Sequence, residues 1–135
     1  MIVLDTSAVL AILGDEPESR EFPLAMEKAS RCLISAVSYV EASIVLGTRI
    51  GPDGLRDLDL LLLKAGVRIE PVDEEQAKIA RAAFGRFGKG RHRAGLNFGD
   101  CFSYALAKTR DLPLLFKGND FGLTDIESAS GRKAD

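Results

Sequence analysis

The 135-residue chain has no tryptophan, a single histidine and two cysteines. Each scarcity removes a class of chemistry. Cys32 and Cys101 lie far apart with no Cys-x-x-Cys spacing, so neither a redox dithiol nor a thiolate metal site is indicated; buried free thiols in a reducing compartment are expected, with a structural disulfide as the alternative. With His92 as the sole imidazole, no histidine cluster exists to favour zinc. No apolar run approaches the roughly 20 residues needed to span a bilayer. The N-terminus opens with Met1 to Asp5 rather than a basic segment followed by an apolar one, so a cytoplasmic protein with no membrane association is expected. The first strand-to-helix turn, Asp5-Thr6-Ser7-Ala8, contains no glycine, and Gly88-Lys89-Gly90 lacks a following Ser or Thr; these absences exclude a dinucleotide fingerprint and a Walker phosphate loop. There is no excess of one charge either: 18 Lys plus Arg against 20 Asp plus Glu give −2, which argues against nucleic-acid binding over the whole surface and leaves room for a local basic site.

What is present, 46% hydrophobic and 28% charged residues, suits one globular domain and excludes disorder, collagen and coiled coil. Short apolar strands are expected at 2–4, 32–35, 67–72 and 114–116, with a further one near Ile126. Between them, helices are expected from a Ser7 cap to Gly14, from Asp15 to Ser30 with a break at Pro23, and from a Ser38 cap to Arg49. Further helices follow at 55–64, from Asp73 through Ala77, Ile79, Ala80, Ala83 and Phe84 into the Gly85, Gly88 and Gly90 stretch, and from an Asn97 cap to Arg110. Strands alternating with helices call for an α/β fold, a mostly parallel central sheet flanked by helices. Residues 1–127 form that domain and 128–135 read as a polar, frayed tail.

In open parallel sheets the ligand crevice lies beyond the carboxyl ends of the strands. Asp5 ends the first strand, and Asp120 follows the last principal strand by a short turn. Singly, each also suits a cap or an Asx-turn. Glu41 shares a helical stripe with Val37, Val40, Ile44 and Val45, which reads as core-facing and demands either an ion pair or a metal. Asp100 lies in the first turn of its helix, where the dipole alone favours an acid. Taken together, three acids meeting one crevice and a fourth on a buried helix face repel, at roughly 3 kcal/mol per pair about 5 Å apart in an effective dielectric near 20. A hard divalent cation, Mg²⁺ or Mn²⁺, is the natural relief, and such a site suits phosphoryl-transfer chemistry by metal-activated water.

Val3-Leu4-Asp5-Thr6-Ser7-Ala8, Val40-Glu41-Ala42, Asn97-Phe98-Gly99-Asp100-Cys101-Phe102 and Phe116-Lys117-Gly118-Asn119-Asp120-Phe121 resemble, in order and spacing, the four acidic motifs of the PIN-domain ribonucleases, with the VapC-type toxins of bacterial toxin–antitoxin pairs as the best match. The resemblance implies a compact PIN-like domain, Mg²⁺- or Mn²⁺-dependent endoribonuclease activity leaving a 5′-phosphate and a 3′-hydroxyl, a structured RNA substrate such as tRNA or rRNA, a homodimer, and inhibition by a cognate VapB-type antitoxin. It makes Asp5 and Asp100 the main metal ligands, Glu41 a ligand or a holder of metal-bound water, and Asp120 the fourth catalytic acid. Thr6, Ser7 and Asn119 would orient the carboxylates by hydrogen bonds, with ordinary capping and turn formation as their other reading.

Arg86, Lys89, Arg91 and Arg93 crowd four positive charges around His92 and two glycines. This reads as a flexible basic loop in which Lys89, Arg91, His92 and Arg93 bind RNA, the arginines taking phosphates bidentately. Phe98, Phe102 and Tyr104 offer a stacking surface or core. Leu58 and the run from Leu60 to Leu63 suit core packing, or alternatively a dimer or antitoxin surface. The rival readings are a PIN-like module that binds RNA without cutting it, and a metal-dependent phosphohydrolase with Asp5 as nucleophile. Against the latter, Ser7 stands where such enzymes want a second aspartate.

Overall fold

The structure is a computed structural model that describes residues 1–130. Four strands, β1 (Ile2–Leu4), β2 (Cys32–Ser35), β3 (Arg68–Glu70) and β4 (Leu114–Leu115), form one sheet in the order β3-β2-β1-β4. All pairings are parallel, with Val3 opposite both Leu33 and Leu114 and Ile34 opposite Ile69. Six helices connect them: α1 (Thr6–Leu13), α2 (Phe22–Lys28), α3 (Ala36–Arg49), α4 (Pro52–Lys64), α5 (Glu74–Phe87) and α6 (Phe98–Arg110). Single 3₁₀ turns sit at Pro17–Ser19 and Phe121–Leu123.

Side chains alternate across the sheet because strand periodicity is two. Ile2, Leu4, Ile34 and Leu115 pack with Val9, Phe22, Leu46 and Leu58 beneath α1 to α4. Val3, Leu33 and Leu114 meet Ala80, Phe87, Leu96, Tyr104 and Leu106 on the α5 and α6 side. Three of the four strands are thus nearly continuous apolar runs, and removal of each large side chain from water contributes about 1.5–3 kcal/mol.

Helix boundaries depart from the sequence expectations for local reasons. Asp5, not Ser7, caps α1, and Ser35, not Ser38, caps α3, because each ends its strand in extended backbone and accepts the N–H two residues on. The 15–30 segment does break, into the Pro17–Ser19 turn and α2, with Pro23 in the first turn of α2, where its missing N–H costs nothing. Pro52 likewise opens α4 three residues ahead of the expected start at Leu55. Strand β3 is shorter than the expected 67–72, and α5 runs through Gly85 to Phe87 with Gln76, Ala80, Ala83 and Phe87 as its buried face, leaving Ala77 and Phe84 outside. The strand expected near Ile126 is a parallel bridge of Ser128 to Leu114, and the Ala129 N–H donates to the Leu114 carbonyl. Residues 128 and 129 are thus joined to β4, and 131–135 lie outside the described residues. No helix among the described residues is long and apolar enough to cross a membrane.

Candidate active site

Since β1 connects onward to β2 on one side and pairs with β4 on the other, the chain reverses its direction of sheet growth between β1 and β4. A crevice is expected there, beyond the carboxyl ends of the strands. Asp5 sits at that point and is buried. Its backbone N–H donates to the Leu115 carbonyl, its Oδ2 accepts the Ser7 N–H at 3.0 Å, and its Oδ1 accepts the Ser103 hydroxyl at 2.6 Å. The carboxylate is thereby held on both oxygens while capping α1.

Asp100 approaches from the N-terminus of α6. Its Oδ2 accepts the Asn97 N–H at 3.0 Å while Asn97 Oδ1 accepts the Asp100 N–H at 2.9 Å, a reciprocal capping box. Partial burial, followed by the charge of Asp5 and then those of Glu41 and Asp120, pushes the Asp100 carboxyl up to about 7, against the lowering effect of the Asn97 N–H. Asp5, Glu41 and Asp120 thus all lie close enough to act electrostatically on Asp100.

Glu41 does not face the core. The buried face of α3 is Ser38, Ala42 and Leu46, whereas Val40 and Ile44 are 53% and 63% exposed. The Val37, Val40, Glu41, Ile44 and Val45 stripe instead lines an open apolar groove with Val72 and Phe98. From the edge of that groove the Glu41 carboxylate lies over the first turn of α6, against Gly99: a Cβ at position 99 would stand 2.3 Å from Glu41 Oε2. A side chain at position 99 would push the carboxylate out of this placement. Asp120 is exposed at the head of the Phe121–Leu123 turn.

Among the described residues no three His, Cys, Asp or Glu side chains close on a common point as a ready-made metal cage. Converging carboxylates without a cage fit Mg²⁺ or Mn²⁺, which bind through one or two protein carboxylates and retain waters. Zinc, which takes tight nitrogen and sulfur ligands, does not fit. The neighbouring Cys101 thiol is pushed up to about 11 by burial and then by the Asp100 charge, so it is no thiolate ligand, and both cysteines are free and buried.

The hydroxyls expected to orient the acids do other work. Thr6 Oγ1 donates to the Ser38 carbonyl at 3.3 Å, and Ser7 Oγ accepts the Lys117 N–H at 3.0 Å, fastening α1 to the turn after β4. The Lys117 ammonium pairs with Glu16. Asn119 is exposed in the following turn. Asp5 is held instead by the Ser7 backbone and by Ser103, with Ser38 hydrogen-bonded to Ser103 at 2.9 Å; Ser103 was not singled out from sequence, and Ser38 only as a cap. A signal for them existed: Ser103 is three residues after Asp100 and Ser38 three before Glu41, the spacing that shares a helix face.

The basic loop is tied rather than flexible. Lys89 N–H donates to the Leu96 carbonyl, Leu96 N–H to the Phe87 carbonyl, and the Arg91 and His92 N–H groups to the Gly88 carbonyl, over buried Ala94 and Leu96. His92 belongs to this scaffold: its Nδ1 accepts the Ala94 N–H at 3.0 Å and its ring meets Phe87 edge-on at 5.2 Å. Arg86 turns away to Asp125, at 3.7 Å, and over the Phe87 ring. Lys89, Arg91 and Arg93 are left exposed, with Arg91 lying 5.8 Å from the Phe84 ring centre. Of the aromatic residues, Tyr104 is core and donates to Asp125 at 2.7 Å, while Phe98 is 73% exposed and touches Phe102.

Comparison with known proteins identifies the fold. The PIN domain model matches residues 2–127. A VapC ribonuclease of Mycobacterium bovis is 51% identical over 129 residues, covering 96% of this chain and 98% of its own length. Ribonuclease VapC of Mycolicibacterium smegmatis is 53% identical over 125 residues, covering 93% and 97%. Among solved structures, a sarcin-ricin loop cleaving VapC toxin of Mycobacterium tuberculosis superimposes with a TM-score of 0.73 at 22% identity, over 93% of this chain and 96% of that one. FitAcB of Neisseria gonorrhoeae follows at a TM-score of 0.67 and 23% identity, over 95% and 96%. With near-full-length identity of about half and a parallel sheet of the same architecture, the chain belongs to the PIN-domain family, among the VapC ribonuclease toxins.

Proposed function

We propose that this VapC ribonuclease cuts a structured RNA, a tRNA or an rRNA loop, at a Mg²⁺ or Mn²⁺ site built on Asp5 and Asp100. Glu41 orients water at the site and Asp120 completes its negative field. The observation that carries the reading is the Asp100 carboxyl, raised to about 7 by burial and then by Asp5, Glu41 and Asp120: the fold concentrates negative charge where a cation relieves it. When bound, such a cation lowers the pKa of a water and neutralises charge on the phosphate. The protein's own part is positional. Asp5 is fixed by two hydrogen bonds and Asp100 by its capping box, so both acids are placed before substrate arrives. Exposed Lys89, Arg91 and Arg93 lead directly into the α6 N-terminus and take RNA phosphates, which sets register on the strand, while His92 holds their loop in shape.

A VapB-type antitoxin is the proposed partner, supported by a structural neighbour that is a toxin–antitoxin complex from Klebsiella pneumoniae. A homodimer is proposed as the working assembly, consistent with the exposed apolar stripe of α3. The test is cleavage of total cellular RNA by purified protein with Mg²⁺, Mn²⁺ or EDTA, beside Asp5→Asn, with fragment ends sequenced. Discrete metal-dependent cuts missing from the variant are expected. RNA binding without cuts in either metal would favour the non-cleaving module instead, and a phosphorylated Asp5 would favour the phosphohydrolase.

A further inference from the structure

Beneath the acids lies a chain of hydroxyls whose direction follows from their chemistry. Ser103 Oγ is 2.6 Å from Asp5 Oδ1, and a carboxylate only accepts, so the single Ser103 proton is committed to Asp5. Ser38 Oγ is 2.9 Å from Ser103 Oγ; with the Ser103 proton spent, Ser38 must donate and Ser103 must accept. Both serines are fully buried, so water does not substitute for either. Ser38 belongs to α3, which carries Glu41, and Ser103 to α6, which carries Asp100. Thr6 Oγ1 ties the start of α1 to the Ser38 carbonyl.

We propose that Ser103 and Ser38 are positioning residues: a one-way relay, Ser38 to Ser103 to Asp5, that locks the Asp5 carboxylate in its metal-binding orientation and references it to both helices bearing the other acids. The relay rests on the reading of Asp5 as a metal ligand. Together with the Ser7 N–H on Oδ2, the hydroxyl on Oδ1 removes the rotation of the carboxylate about its own axis. Each oxygen keeps lone-pair capacity for a cation. Chained donors polarise one another, so Ser38 strengthens the bond that Ser103 makes. If the serines were only polar filling, their removal would alter stability without changing how a cation is held.

The experiment measures Mn²⁺ affinity by electron paramagnetic resonance, together with kcat and KM for RNA cleavage and the thermal melt, for wild type, Ser103→Ala, Ser38→Ala and the double variant. Ser103→Ala is expected to retain a cooperative melt, weaken Mn²⁺ binding about tenfold, as loss of a partner behind a ligand typically does, and lower kcat with KM unchanged. Ser38→Ala is expected to weaken binding by up to about twofold, as a cooperative strengthening of about 10–30% per bond implies, and to add nothing once Ser103 is gone, because it acts only through Ser103. A folded Ser103→Ala with wild-type Mn²⁺ affinity, or strictly additive effects of the two serines, overturns the relay while leaving the metal site standing. Wild type that binds no Mn²⁺ overturns the metal reading, and the relay with it. Should Ser103→Ala lose its melt, Ser103→Thr and Ser38→Ala decide: affinity kept in the first and reduced in the second supports the relay, and the reverse overturns it.

Discussion

Replacing Asp100 by asparagine is expected to stabilise the metal-free protein at pH 8 while abolishing its gain from divalent cations. The carboxyl stands at about 7 in the fold against an ordinary 3.8, so an ionised Asp100 is disfavoured by folding. Below about pH 4 both folded and unfolded chains carry the proton and the group contributes nothing to pH dependence. Between about 4 and 7 the unfolded chain has released a proton that the folded one keeps, so stability falls as pH rises; above about 7 the loss is complete. The full difference sets an upper bound of roughly 4 kcal/mol. Asp100 is only partly buried, and solvent screening reduces that to about 2 kcal/mol. Asparagine keeps an acceptor for the Asn97 N–H but loses about 0.5 kcal/mol of charge interaction with the α6 N-terminus. The net gain of about 1.5 kcal/mol corresponds to roughly 4–8 °C in Tm for a domain of this size. Thermal melts by circular dichroism from pH 4 to 8.5 in EDTA should show the variant-minus-wild-type difference growing from near zero and levelling above about pH 7. In Mn²⁺ the order should invert, since a ligand at a hundredfold excess over its Kd adds about 2.7 kcal/mol to the form that binds it. A variant less stable than wild type at pH 8 in EDTA, or a difference that does not vary with pH, would refute the claim that the acids strain one another.

Asp5→Asn should keep a cooperative melt, somewhat lowered because the amide replaces one of two accepting oxygens with a donor, and should abolish RNA cleavage in a single-turnover gel assay; retained cleavage would remove Asp5 from the chemistry. Gly99→Ala places a methyl group in the space occupied by Glu41 Oε2, so it should lower kcat about tenfold in wild type and have no further effect in Glu41→Ala. A loss as large in that background would mean the glycine serves the backbone of α6 instead. The triple change of Lys89, Arg91 and Arg93 to alanine should weaken RNA binding and flatten its salt dependence by about 0.7 per lost phosphate contact, and an unchanged slope would take the loop out of the interface. Phe22→Ala, at a fully enclosed side chain, should cost about 3–5 kcal/mol in urea unfolding without altering Mn²⁺ affinity.

The fold and the acids were legible because they depend on local pattern. Apolar runs at 2–4 and 32–35 can only be strands buried on both faces, and Asn97 with Asp100 three residues later spells the start of α6. Helix faces were harder where both sides are apolar. The α3 stripe around Glu41 matched a core periodicity as well as Ser38, Ala42 and Leu46 did, and which one turns inward is settled by the neighbours packed against it. The same limitation hid the exposed side of α4, where Leu58 and Leu62 are buried while Leu55, Leu60 and Leu63 are not.

Sequence by itself therefore determined that strands and helices alternate, that Asp5 and Asp100 fall at element ends, and that a cluster of cations precedes α6. Those are properties of a residue and its near neighbours. Tertiary structure alone decided which groups serve the acids. Ser103 reaches Asp5 across 98 positions and Ser38 meets Ser103 across 65, while Gly99 makes room for an acid on another helix. Hydrogen-bond partners at such separations are set by how α1, α3 and α6 close over the sheet, and a serine or glycine carries no mark of that closure until the helices are in place.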